Sequence, residues 1–352
     1  MMKKLLYIIV FLMLFSPGVS ASEAVFIDGE EEYNELVAEI LEGRLDLDAP
    51  GLLNKLIDMI IGEVLLSKEL LVNIIVVAAL SGVLNVLDSS FAKGETTAIT
   101  AFVGYTLVAI SISQLLNTSI GYGVEVVNRL SGFITKICPT LTILMVSSGA
   151  AVSAASFSPV LSVAVYVIST VIEKLIIPMV YFSAVLGIVN NMTDKIQLGQ
   201  LNAFIKSLAK WILTGILTVF TGINAIYGFS MPVLDAVSLK AVKFTVGSFV
   251  PVVGGLLADT VETVLAGAKL MKNAVGTAGI IMVVLICLVP IIKIGAIILL
   301  LRLASALIEP VSDKRITAMV TDSVAPITIV FAMVIAVAML FIISISIIIS
   351  AV

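Results

Sequence analysis

The residues able to carry chemistry are few. Asp259 and Glu262 set two carboxylates three positions apart, on one side of any helix that holds them. Such a pair offers oxygen ligands to a cation, but two carboxylates without further oxygen donors are an incomplete site. Glu173 and Lys174 stand side by side in one apolar run, and Lys293 and Arg302 interrupt another. An ionisable side chain at mid-bilayer costs at least ~2.5–3.5 kcal/mol on insertion scales, so it faces protein or water. Two readings follow for these charges: the polar lining of a conduit, or long side chains snorkelling from near a helix end. Both stand at this level, because depth is set by packing.

The exclusions are sharper. The 352 residues include no histidine, which removes His-based triads, His general bases and His metal ligands together. Cys138 and Cys287 sit in apolar stretches and form no Cys-x-x-Cys pair, so they read as small buried hydrophobes. Gly121-Tyr122-Gly123 lacks a third glycine and a preceding strand, and no phosphate-cradling Gly-x-x-x-x-Gly-Lys-Ser/Thr run occurs. The serines have no histidine base. The expectation is therefore a protein that is not an enzyme, with no catalytic residue, no cofactor and no metal. No basic run interleaves with aromatics, so nucleic acid is not an expected partner.

The elements that hold these residues are membrane elements. The chain is 60% hydrophobic and 12% charged, with a mean hydropathy of +1.20. Soluble domains run near 45–50% apolar and about 25% charged. The fold class is all-α, a polytopic helical membrane protein of six to eight spans with broken or re-entrant segments. Residues 1–21 read as a signal peptide: Lys3-Lys4, an apolar core at Leu5–Phe15, a Pro17-Gly18 break and a small-x-small end at Ala21. Residues 22–68 form an acidic head facing the extracytoplasmic side. Tyr33, Leu36, Val37, Ile40 and Leu41 recur at helical spacing along it. About 45 residues make a marginal core, so the head is expected to lie on the membrane or dock on partners. Residues 69–352 form the membrane body, with upright spans predicted at 70–87, 98–116, 160–189, 211–229, 275–307 and 325–349. Trp211, beside Lys210, reads as an interfacial anchor.

The stretch at 244–262 is apolar enough to enter a bilayer and too interrupted to cross it straight. Pro251 removes a backbone donor, and Gly254 and Gly255 permit backbone shapes other residues resist. Broken backbone at membrane depth survives only where protein or water covers it, so this stretch reads as a half-helix lining a cavity or as an interfacial packing element. The segment at 137–157, with Pro139 near its start, is rich in small residues that let helices approach closely, and reads as a broken segment that turns back or as an ordinary tightly packed span. Two over-long segments, 160–189 and 275–307, carry Pro178 and Pro290 with the charges named above, and 160–189 is either one strongly kinked, tilted helix or two half-spans. Pro139 and Pro178 stand 39 apart, as do Pro251 and Pro290, at an offset of 112. That spacing admits a duplication, 97–208 against 209–320, or a chance pairing among ten prolines. Pro139, Glu173, Pro178, Pro251, Gly254, Gly255, Asp259, Glu262, Pro290, Lys293 and Arg302 are thus the candidate pore-lining or helix-break residues.

The order of features resembles a known family. Phe249-Val-Pro-Val-Val-Gly-Gly255, Asp259, the run Lys272-Asn273-Ala274-Val275-Gly276 and Leu307-Ile-Glu-Pro310 are similar to stage III sporulation protein AE of endospore-forming bacteria. The resemblance covers most of 30–350 and is sharpest over 243–310. It implies a multi-pass protein of the mother-cell membrane around the forespore. It implies partners as well: other stage III sporulation proteins of the same operon and, across the gap, stage II sporulation protein Q. The assembly would be a channel or secretion-like complex within the lipid bilayer, with self-association left open. The alternative is a secondary transporter with a midplane site at Pro251 and Pro290.

Overall fold

A computed structural model describes residues 29–42, 61–62, 72, 75–76, 95–192, 197–249, 254–310 and 312–351. The signal-peptide and first-span expectations lie outside the described residues, apart from Val72, Ile75 and Val76. No strand occurs among the described residues. The head helix α1 runs Gly29–Leu41. Four further rods and a two-part rod follow: α2 at Glu95–Ser147, α3 at Ala151–Val171, α4 at Ile177–Met192, α5 at Gly199–Phe249, α6 at Gly254–Ile308 and α7 at Lys314–Ser350. A π turn at Ile172–Ile176 joins α3 and α4 into one rod. Among the described residues, five rods are long and apolar enough to cross a membrane.

The rods alternate in direction and pack around α7, whose buried side chains run from Ile316 to Ile348. α6, α2, the α3–α4 rod and α5 all lie against it. A continuous stripe, Val108, Ile112, Leu115, Ile120, Val127, Leu130, Ile134, Leu141 and Met145, holds α2 to this core over most of its 53 residues. That stripe explains why Pro139 does not end the helix. One missing amide is outweighed by packing on both sides of it, and Pro139 itself points outward. The break expected at Pro139 instead falls at Gly149. Its φ of +93° is a left-handed conformation, and a Cβ there would sit 2.7 Å from Leu239. The re-entrant reading of 137–157 is corrected accordingly: 137–147 ends α2 and 151–157 begins α3.

The over-long segment at 160–189 is one rod rather than two half-spans. Pro178 lacks the amide that would close the ladder, and the turn before it widens. The Ile177 N–H donates to the Ile172 carbonyl five residues back. Pro232, Pro290 and Pro326 likewise lie inside continuous helices. Residues 254–273 are continuous with the rest of α6, so this part does not turn back. Positions 250–253, including Pro251, lie outside the described residues, between the end of α5 and the start of α6. Shifted by 112, the end of α2 at Ser147 falls on Asp259, inside α6, so helix ends do not follow the proline offset.

The amphipathic pattern of the head holds as helix α1, and its docking surface is the chain's own bundle. Tyr33 donates its hydroxyl to the Val275 carbonyl at 2.9 Å. Its ring meets Phe133 edge-on, with centroids 5.5 Å apart.

Candidate functional site

Polar side chains gather in three layers along the bundle. The first is at the end holding Gly149 and the α7 C-terminus. The N-cap of α3 is Ala150, which supplies no side-chain cap. Asp235 of α5 does so from across the bundle. It accepts hydrogen bonds from the Val152 N–H at 2.9 Å and the Ser153 N–H at 3.2 Å, and a short one from the Ser153 hydroxyl. Lys272 of α6 donates a short hydrogen bond to the Ala351 carbonyl at the end of α7. Both side chains are fully buried, and they act on one another electrostatically. An anion thus sits at a helix start and a cation at a helix end, the two placements that the helix dipole favours. Four helices are tied at one level. Beside them, Gly276 lets α6 approach α7 closely, since a Cβ there would collide with Ile349.

The second layer lies halfway along. Lys293 rests 5.0 Å from the ring centre of Tyr122. One turn on, Glu125 and Arg129 pair at 2.8 Å. Ser131 and Ser169 are hydrogen-bonded at 2.5 Å, and Tyr181 donates to Asn117 at 2.7 Å. Those two contacts fix α2 against the α3–α4 rod and bring Glu125 level with the π turn that carries Glu173 and Lys174. The Ser153–Asp235 and Ser183–Asn202 contacts similarly fix α5 against that rod. Interpolating between them brings Trp211 level with Lys174. Tyr122, Glu125, Arg129, Glu173, Lys174, Trp211 and Lys293 therefore form a belt around the bundle.

The third layer is at the opposite end. Asn191 donates to Asp322 at 2.8 Å, Ser183 to Asn202 at 2.7 Å and Tyr105 to Asp313 at 2.5 Å. Asp313 also caps α7 by accepting from the Arg315 N–H at 3.0 Å.

The structure does not bring the candidate pore-lining residues into one lumen. Glu173 and Lys293 are half-buried in the belt, Pro139 and Pro178 are exposed, Pro290 is buried in α6, and Arg302 and Glu262 are exposed. Gly254, Gly255 and Asp259 fall in the first turns of α6. The centre of the bundle is filled by α7. Among the described residues no group of three or more His, Cys, Asp or Glu side chains is placed to hold a metal. Both cysteines are free and buried. The buried pair that the structure does assemble, Asp235 and Lys272, carried one sequence signal. On a hairpin folded at 250–253, positions 235 and 272 come to about the same level. Lys272 also heads the Lys-Asn-Ala-Val-Gly run.

A bundle of rods this long and apolar, tied together by buried polar layers, is a polytopic helical membrane protein. A family profile described as Stage III sporulation protein AE matches residues 32–352, and the chain belongs to that family. Stage III sporulation protein AE of Bacillus subtilis (strain 168) is 28% identical over 313 residues, covering 89% of this chain and 78% of that protein. No solved structure matches the chain.

Proposed function

We propose that this protein is a membrane subunit of the mother-cell-to-forespore channel or secretion-like complex needed for endospore development. The observation that carries the reading is the family match from residue 32 to residue 352. Two features of the chain support a structural role rather than catalysis of its own. It has no histidine, and its buried charged groups are engaged in tying helix ends together. The acidic head would face the space between the two membranes, with α1 fastened to the bundle by Tyr33. The partners in this reading are the other stage III sporulation proteins of the operon, with stage II sporulation protein Q on the forespore side. Because α7 fills the centre of the single chain, any conduit would run between subunits rather than through one.

The test is complementation in a spore former lacking its own copy, combined with affinity purification from solubilised membranes. Restored late forespore gene expression and co-purification of the stage III partners are expected. Solute-specific counterflow by the purified chain alone, with no partner recovered, would overturn the reading in favour of a transporter.

A further inference from the structure

An open apolar groove of about 510 Å³ runs between α3 and α5. Its walls include Pro159, Val163 and Val167 on one side and Gly215, Val219 and Ile223 on the other. We propose that this groove and the exposed ammonium of Lys174 form a binding site for an anionic phospholipid of the surrounding bilayer, one acyl chain in the groove and the phosphate on Lys174.

Charge spacing sets the depth. Between Lys272 and Lys293 α6 carries no charged residue, and between Lys210 and Asp235 α5 carries none. α3 is charge-free over its 21 residues. At 1.5 Å per residue each stretch is about 30 Å or somewhat longer, close to the thickness of a hydrocarbon core. Bounded by the Asp235–Lys272 layer and by the belt, this stretch matches the lipid on α3, α5 and α6, which include both walls of the groove, while on α2 the exposed Lys136 interrupts it. On the far side of the belt the match fails, because Arg302, Lys206, Lys210 and Asp322 interrupt α6, α5 and α7. Trp211 in the belt is a residue type that collects at headgroup level, and it is 75% exposed.

The groove lies within that slab. From Pro159 to Ile168 it covers roughly 14 Å along α3, about one leaflet's depth. Lys174 stands six residues beyond Ile168, at the belt end. It is exposed and has no ion-pair partner among the described residues, while the neighbouring Glu173 is turned partly into the bundle. A basic residue between helices at headgroup level is the chemistry that retains an anionic lipid. A volume of this size is in the range of small-molecule sites, roughly 300–1,000 Å³.

The experiment uses the full chain in nanodiscs containing phosphatidylglycerol or phosphatidylcholine with a photoreactive acyl chain. Adducts are expected to concentrate on 159–168 and 215–223, with phosphatidylglycerol favoured. Gly215→Phe places a ring at the groove wall, where a Cβ meets nothing within 4 Å. It is expected to reduce groove adducts at least fivefold. Gly132→Phe, on α2 with the same open surroundings and away from the groove walls, is expected to leave them unchanged. Lys174→Gln is expected to retain the adducts and lower the preference for phosphatidylglycerol by roughly fivefold. Equal labelling at the groove and at Met339 would overturn the proposal, as would a phosphatidylglycerol preference untouched by Lys174→Gln. Adducts replaced by cross-links to residues 70–87 or to a second copy would overturn it too.

Discussion

Removing the Asp235 carboxylate is the most informative perturbation of the bundle. Asp235→Ala deletes the acceptor for two amides and one hydroxyl at the start of α3. It also leaves Lys272 buried without the opposite charge that faces it. Interhelical hydrogen bonds in bilayer proteins average about 0.6 kcal/mol and reach about 1.7. Three of them therefore contribute roughly 2–5 kcal/mol, and a charged acceptor belongs to the upper part of that range. Loss of the opposite charge facing buried Lys272 acts in the same direction. Asp235→Asn keeps an acceptor for the amides and loses the charge, so about half the effect is expected. With roughly 2–4 °C per kcal/mol for a large domain, Asp235→Ala should lower the melting temperature by about 10 °C. The assay is thermal unfolding of the detergent-solubilised or nanodisc-held chain, with Lys240→Ala as an exposed control. A double-mutant cycle with Lys272→Met should give a coupling above ~0.5 kcal/mol, the level at which independent sites add. A melting temperature for Asp235→Ala equal to that of Lys240→Ala would refute the tying role, and an additive cycle would refute the electrostatic link between the two residues.

Other perturbations read the remaining contacts. Gly276→Leu forces α6 away from Ile349, and the overpacking should destabilise by about 1–3 kcal/mol, measured as the same melting shift. Gly149→Val meets both the left-handed backbone and Leu239, so a loss of similar size is expected, with proteolysis appearing first at the α2–α3 turn. Burial pushes the Tyr33 phenol up to about 12. The folded chain thus favours the protonated form, and the stability it contributes is complete below about 10 and lost as pH rises towards 12. Spin labels at Glu35→Cys and Thr277→Cys should report α1 moving off α6 in that window. With Tyr33→Phe the hydrogen bond to Val275 is absent at every pH, and the same distance should lose its alkaline transition.

The class of fold was legible because hydropathy is a property of composition, and α1 was legible because Tyr33 and Val37 share a helical stripe. The breaks were not legible from proline alone. Pro139 and Pro290 each remove one amide from a ladder of more than fifty residues, and the packing of Ile134, Leu141 and Ile294 on either side holds the helix through. The turn falls where a backbone angle requires it, at Gly149, a glycine among many in a small-residue run. Glu173 and Lys293 read as isolated charges because the sequence does not say that π-turn and α6 positions share a level. Asp235 was hidden for the opposite reason. A carboxylate in an amphipathic stretch looks solvated, and only the start of α3 arriving beside it makes it a buried cap.

The most direct test of this placement in the bilayer uses Trp211, the one tryptophan in the chain. Its fluorescence in vesicles of lipids brominated at defined depths reports where the belt lies. Quenching should be strongest with bromines nearest the headgroup and weakest with those near the chain ends. Strongest quenching by the deep bromines would place the belt at the bilayer centre and contradict the account.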